Sequence, residues 1–262
     1  MAIDEVRILR ETFVDRVEHH VTVGSTNDLA AECAALGVKE MPLLVVADRQ
    51  TAGRGRGTNR WWTGPGALSL SLLVDAQRVA ADRSRSPLVS LAAAVAVVEA
   101  VAPLLPTHRV GIHWPNDVFV DPCKLAGILV EVLPDRRHVI GIGLNTNNTT
   151  ADAPEELHPH VATIRDLSGR EHDQTGILID LLRRLDREFS RLRLEPQAVA
   201  ARADALCLQR GQTLTLQWND RTTTGRCRAI AADGALLLET PEGMQPFYSG
   251  TVLPKQAEDE SP

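Results

Sequence analysis

The run Gln50-Thr51-Ala52-Gly53-Arg54-Gly55-Arg56-Gly57 lies between two apolar segments with strand character, and this placement narrows the fold more than any other feature. A dinucleotide-binding turn needs Gly-x-Gly-x-x-Gly leading from a strand into a helix. Here the spacing is Gly-Arg-Gly-Arg-Gly, and the next segment, Ala67 to Val74, alternates with Leu68, Leu70 and Leu72 on one face. That excludes a Rossmann fold. No Gly-x-x-x-x-Gly-Lys-Ser/Thr run occurs, which excludes a P-loop enzyme. Arg54 and Arg56 add two permanent cations to backbone that can close over an anion. A solvated Gly/Arg surface loop is the alternative reading of this run taken alone.

The flanking pattern is mixed. Val17 to Val23 reads as a strand. Ser25-Thr26-Asn27-Asp28 opens a helix, with an acid three residues after the serine and Gly37 as its stop. Leu43 to Ala47 is a short buried strand. Ser86-Pro87 leads into an apolar helix over about Leu88 to Val101, with proline in the first turn. Three strands follow (RVGIHW, DVFV, KLAGILVEV), joined by Trp114-Pro115-Asn116 and Asp121-Pro122-Cys123, and then HVIGIGLN. Thr149 to His160 reads as a loop. Two helices are expected over GILIDLLRRLDREFSRL and near PQAVAARADAL. From Gln212 onward, short strands separated by turns at Asn219-Asp220, Asp233-Gly234 and Glu242-Gly243 predict a small β barrel of about 50 residues. The acidic tail reads as disordered.

Bulk properties limit the function. At 262 residues the chain holds one large domain and one small one. A net charge of -6 argues against a nucleic-acid partner held by its phosphates. Cys33, Cys123, Cys207 and Cys227 form no Cys-x-x-Cys pair, so neither a disulfide framework nor a zinc site is read. His19-His20 and His158-Pro159-His160 lack metal-binding spacing and read as surface residues. No signal peptide is seen, and no run is expected to reach the roughly 18 apolar residues of a membrane span. These points predict a cytoplasmic enzyme with no membrane and no nucleic-acid partner.

Three further features carry chemistry. Trp114-Pro115-Asn116-Asp117 is followed, seven residues after Asp117, by Lys124 at the start of an apolar strand. Burying an ammonium is costly without a partner, so Lys124 predicts a carboxylate such as Asp117 or an anionic ligand. A lysine that merely starts the strand at the surface is the alternative. Ser25-Thr26-Asn27 stands where helix N-terminal N–H groups converge. Gly141-Ile142-Gly143-Leu144-Asn145 ends a strand with small residues that let another group approach the backbone.

Taken in order, Ser-Thr-Asn, Gln-Thr-Ala-Gly-Arg-Gly-Arg, Trp-Pro-Asn-Asp with Lys-Leu-Ala-Gly-Ile-Leu-Val-Glu, and Gly-Ile-Gly-Leu-Asn resemble the biotin–protein ligase family over roughly residues 17–255. The resemblance implies an α+β fold: a mixed β-sheet catalytic domain of the biotin/lipoate ligase type, with helices on one side, then an SH3-like β barrel. The expected division is 1–205, 206–255 and a tail of 256–262. It implies biotin and ATP as substrates, Mg²⁺, and a biotin carboxyl carrier protein or domain as acceptor. By the resemblance, Ser25, Thr26, Asn27 and Gln50 bind the biotin ring, and Arg54, Gly55 and Arg56 belong to a loop that orders over biotin. Trp61 packs beside it. Lys124 meets the carboxylate and the α-phosphate, with Lys124 and Arg56 as the catalytic cations. Gly53, Arg56, Asn116, Asp117, Lys124, Gly127 and Asn145 are implied at the ATP or adenylate site, with Asp117 near Mg²⁺. Some relatives form a homodimer through sheet edges.

The sequence departs from the family pattern in places. Gly57 and Thr58 stand where arginine or lysine and then glycine are expected, and His113 stands in place of a lysine. The loop after Asn145, expected to cover adenine, is short. Only 24 residues precede Ser25, too few for the helix-turn-helix domain that makes some relatives repressors, so no DNA binding is expected. A lipoate or octanoate ligase or transferase shares the fold and is the nearest alternative. A biotin sensor and a barrel-based interaction module are the others.

Overall fold

Apolar segments of period two pair into one sheet whose two faces do different work. The computed structural model describes residues 3–79, 86–120 and 122–253. Asp121 of the expected Asp-Pro-Cys turn, the side chain of Ser86 expected as a cap, and the 256–262 tail lie outside what it describes. The chain enters through helix α1 (Glu5–Glu11), capped by the Asp4 carboxylate accepting from the Arg7 N–H at 2.9 Å. The sheet strands are β1 (Arg16–Val23), β2 (Leu43–Gln50), β3 (Leu68–Val74), β4 (Val110–His113), β5 (Asp117–Val120), β6 (Cys123–Val132) and β7 (His138–Leu144). Among the described residues they make a seven-stranded sheet in the order β1-β2-β3-β7-β6-β5-β4. The β1–β2 pair is parallel and the others are antiparallel, so the sheet is mixed as expected.

The expectation of helices on one side needs correction. Leu68, Leu70, Leu72 and Val74 of β3 share a core with helices α4 (Ser86–Val101), α6 (Gln174–Leu194) and α7 (Pro196–Ala205). Leu73 of the same strand faces the other way and packs with Leu43, Val45 and Val139 against Ala30 and Ala34 of α2 (Thr26–Ala35). Strand alternation forces this split, because successive side chains leave opposite faces. Three short helices, α1, α3 (Ala76–Val79) and α5 (Ile164–Ser168), were not read in the sequence; α5 ends at Gly169 with φ +72.

The expectation that no run reaches membrane length also fails. The 18 residues Pro87–Leu104 are long and apolar enough to cross a membrane by length and composition. In the fold α4 packs on α6, α7 and the sheet, and Leu91, Ala92, Ala93, Ala94, Val95 and Val97 are fully buried. A helix apolar all round needs cover all round, and here neighbouring helices and strands supply it.

The expected loop from Thr149 to His160 contains two 3₁₀ turns, Thr150–Asp152 and Glu155–His160. The C-terminal strands β8 (Thr213–Trp218), β9 (Arg221–Ile230), β10 (Leu236–Thr240), β11 (Gly243–Phe247) and β12 (Thr251–Leu253) form an antiparallel sheet in the order β11-β10-β9-β8-β12. Trp218 packs edge-on against Phe247, with ring centroids 5.7 Å apart. Trp114, 1% exposed, joins the two sheets: its backbone N–H donates to Gln209 Oε1 at 2.7 Å and its indole Nε1 to the Gly234 carbonyl at 3.1 Å.

Candidate active site

A cavity of about 310 Å³ opens on the α2 face of the sheet and carries most of the residues singled out in the sequence. Its floor is made of small residues. A Cβ on Gly143 would overlap the Trp61 indole, and one on Gly141 would overlap the Asn27 amide. The Gly-Ile-Gly segment of β7 therefore lets Trp61 and Asn27 lie directly on the backbone.

The biotin-end residues of the sequence reading come together at the start of α2. Ser25 is the N-cap residue by backbone conformation, yet its hydroxyl makes no capping bond. Gln50 replaces it: Gln50 Oε1 accepts from the Thr26 N–H at 2.8 Å and from Thr26 Oγ1 at 3.2 Å. The expected serine cap is thus corrected, and the Ser25 hydroxyl, only 4% exposed as a residue, is left at the cavity wall. Ser71 Oγ, which the sequence did not flag, lies 2.8 Å from Thr26 Oγ1 and 2.6 Å from Asn27 Oδ1.

The Gly-Arg run is a hairpin. Trp61 N–H donates to the Gly53 carbonyl at 3.0 Å, Gly55 N–H to Asn59 O at 2.8 Å, and Arg54 bridges Arg60. Gly57 sits at its tip with φ +62, a conformation that disfavours the side chain expected there from the family pattern. Both arginines have protein partners. Arg54 makes a two-pronged contact with Glu131, at 2.9 and 2.7 Å, and an ion pair with Asp28 at 2.7 Å. The hydrogen bonds to Glu131 hold its guanidinium above its ordinary pKa. Arg56 donates to Asn116 Oδ1 at 3.0 Å and to the Gly250 carbonyl at 2.8 Å. Burial lowers its pKa, opposed by the Asp117 charge.

Lys124 has the carboxylate that its position called for. Its Nζ lies 2.8 Å from Asp117 Oδ2, and it stands 5.6 Å from the centre of the Trp61 ring. A bulge between Val118 and Phe119 sets Phe119 opposite Lys124. Asn116 is held by its amide donating to the Ile128 carbonyl at 2.7 Å. His113, in place of the expected lysine, stacks on Phe119 with centroids 4.4 Å apart.

Ser25, Thr26, Asn27, Gln50, Arg54, Gly55, Arg56, Trp61, Asn116, Asp117, Lys124 and Gly127 all line the cavity. Gly53 and Asn145 do not. Gly53 is packed against the Trp61 carbonyl, and Asn145, 2% exposed, is hydrogen-bonded to Asn148 at 3.0 Å. The sequence reading missed Ser71 and Glu131, which hydrogen-bond the lining residues Thr26, Asn27 and Arg54, and Gly250 with Thr251 and Val252 of β12, which close one wall. For Glu131 a signal was present: an acid in an apolar strand raises the same question as Lys124. For Gly250 no local signal exists.

The model of the biotin/lipoate A/B protein ligase family matches residues 20–147, which leaves both acids open. The model of the biotin protein ligase C-terminal domain matches residues 211–253, the five-stranded sheet. The biotin–[acetyl-CoA-carboxylase] ligase of Mycobacterium tuberculosis is 36% identical over 220 residues, 82% of this chain and 80% of that protein. The chain belongs to the biotin–protein ligase family. A bifunctional ligase/repressor of Bacillus spizizenii is 32% identical, with 88% of this chain and 71% of the relative covered. The biotin protein ligase of Aquifex aeolicus, solved with biotin and ATP, superposes with a TM-score of 0.79 at 25% identity, over 91% of this chain and 97% of that one. The family's α+β catalytic fold with a C-terminal SH3-like sheet is therefore the fold of this chain.

Proposed function

We propose that the chain is an ATP-dependent biotin–protein ligase that makes biotinyl-5′-AMP and passes biotin to a lysine of a biotin carboxyl carrier protein or domain, in the cytoplasm. One observation carries this reading: a donor-and-acceptor cluster (Ser25, Thr26, Asn27, Gln50) and a cation pair (Arg56, Lys124) share one cavity in a chain of this family. The relatives named above act on biotin, which favours biotin over the lipoate or octanoate alternative.

In this reading the ureido ring of biotin binds at the start of α2, and the rest of the molecule runs along Trp61 and Gly127 toward Lys124. The biotin carboxylate attacks the α-phosphorus of ATP, and the bond to pyrophosphate breaks. Negative charge gathers on the α-phosphate oxygens, and Lys124 and Arg56 stabilise it there. Neither cation needs to be recruited from water, since Asp117 and Asn116 hold both before ATP arrives. The hairpin of Arg54 and Gly55 then excludes water from the mixed anhydride. The carrier lysine amine attacks the acyl carbon, AMP leaves, and the amine gives up its proton.

Among the described residues no group of three or more His, Cys, Asp or Glu could hold a metal. Asp117 Oδ1 is buried without a hydrogen-bond partner, which fits a Mg²⁺ that travels with ATP and takes one carboxylate plus phosphate oxygens. Bound there, Mg²⁺ would neutralise charge on the departing pyrophosphate. Gly53 and Asn145 stand outside the lining of the cavity, and their place at the adenylate rests on the family resemblance. The same reading divides the chain into a catalytic unit, 1–205, and a barrel, 206–255, whose first strand, β8, begins at Thr213.

ATP–pyrophosphate exchange with purified protein tests the proposal. Exchange that requires biotin, and is absent with lipoate, octanoate or no acid, is expected. Exchange driven by lipoate or octanoate alone, or none with any acid, overturns it.

A further inference from the structure

Glu131 ties together two parts of the cavity wall that are distant in the chain. It lies on the same face of β6 as Gly127 and Leu129, one alternation beyond the cavity floor. Its Oε2 accepts from Asn27 Nδ2 at 2.6 Å, and its two oxygens take both terminal nitrogens of Arg54 at 2.9 and 2.7 Å. One carboxylate therefore holds the first turn of α2 and the Gly-Arg hairpin at once.

Two consequences follow from hydrogen-bond inventory. Both terminal nitrogens of Arg54 are already engaged, and Asp28 adds a second carboxylate at 2.7 Å. Arg54 is thus neutralised by acids of its own chain, whereas among the described residues Arg56 donates to no carboxylate and hydrogen-bonds Asn116 and the Gly250 carbonyl. Asn27 is fixed at both ends: Nδ2 faces Glu131 and the Leu129 carbonyl, and Oδ1 takes the Ser71 hydroxyl. Its one remaining capacity is the second lone pair of Oδ1, an acceptor for a ligand N–H.

We infer that Glu131 is a positioning residue that latches the Gly-Arg hairpin to α2, making Arg54 a strut of the closed wall and presenting Asn27 as an acceptor. The latch itself stands on the geometry above; its effect on biotin rests on the ligase reading.

The test uses the full chain with Glu131→Gln, Glu131→Asp, Arg54→Ala and the Glu131→Gln/Arg54→Ala double variant. Glutamine keeps an oxygen for Asn27 but cannot take both Arg54 nitrogens, so it isolates the hairpin arm. The first readout needs no ligand: limited trypsin digestion, followed by mass spectrometry of cleavage after Arg54. Trypsin must draw the arginine side chain into its own acidic pocket, which the latch forbids. Cleavage there is expected to rise about tenfold in Glu131→Gln, the loss of one charge-assisted hydrogen bond, and to stay near the wild-type rate in Glu131→Asp. The second readout is calorimetric biotin binding without ATP, with Kd expected to rise about tenfold in Glu131→Gln and the effect to vanish in the Arg54→Ala background. The unfolding midpoint is expected to stay within about 2 °C, because the pair is partly solvated. Unchanged cleavage in Glu131→Gln overturns the latch. So does a biotin effect that is additive with Arg54→Ala, or one that merely tracks a lowered midpoint. Faster cleavage in a protein whose wild type binds no biotin leaves the latch standing and rejects the ligase reading instead.

Discussion

Replacing Lys124 by alanine separates chemistry from folding most clearly. Lys124 Nζ is 2.8 Å from Asp117 Oδ2, and the two side chains keep 32% and 22% of their exposure. At an effective dielectric of about 20 the gross attraction at that separation is about 6 kcal/mol. Desolvation of two charges offsets most of it, and partial exposure lets water reach the abandoned carboxylate. The expected loss of stability is about 1 kcal/mol, a drop of roughly 2–4 °C in the midpoint. The catalytic loss is larger, because the same ammonium meets charge that develops only in the transition state. Removing one such preorganised donor is worth about 3 kcal/mol, or on the order of 100-fold in rate. Biotin-dependent ATP–pyrophosphate exchange measures the rate, and a thermal melt measures the fold. Lys124→Ala/Asp117→Asn should recover the lost stability and none of the activity. Exchange within about threefold of wild type in a folded Lys124→Ala protein refutes this reasoning, and so does recovery of exchange in the double variant.

Three other perturbations test separate links. Gly143→Ala places a methyl group into the Trp61 indole, so biotin affinity should fall by about tenfold or more and the near-ultraviolet tryptophan signal should change; retention of both contradicts the close approach. Gly250→Ala combines φ +153 with a Cβ 2.8 Å from Leu216 Cδ1, and should shift the carbonyl that accepts from Arg56, weakening the fold by about 1–3 kcal/mol and speeding release of biotinyl-5′-AMP; a wild-type midpoint and release rate argue against it. His138 is 1% exposed, and burial holds its pKa below the ordinary 6.5. The unfolded chain therefore binds the extra proton first, and stability that is complete above that pH declines as pH falls through 6.5 toward the lower folded value. Urea titrations at several pH values should show a shallower decline in His138→Gln, and an unaltered pH slope would remove His138 as the cause.

Much of the sheet was legible because its signals are local. Alternation in Leu68 to Val74, the turn at Asp233-Gly234 and the stop at Gly37 each need only a few neighbouring residues. The short unread helices show the limit: α1, for example, buries a single residue, Ile8, and so has no apolar stripe to read. The core helix α4 was legible as an apolar helix, but its cover was not, since α6 and α7 arrive from far down the chain. At the site, Lys124 was found because a charge in an apolar strand demands an explanation. Glu131 in the same strand raised the same demand and was passed over. Asn145 was placed at the adenylate by the family resemblance, and its hydrogen bond from Asn148 is a contact that only the fold supplies.

The sequence by itself determined which segments become strands and helices, where the turns fall, and which family the chain resembles. The tertiary structure decided which face of the sheet became the floor of the site, which partner each charge received, and that Gln50, not Ser25, satisfies the first amide of α2. The physical reason is range. Periodicity and turn chemistry act over a few residues, whereas the bonds that shape the cavity span 77 residues from Arg54 to Glu131, 104 from Asn27 to Glu131 and 194 from Arg56 to Gly250. Those pairings exist only once the sheet has brought β2, β6 and the C-terminal strands to one place.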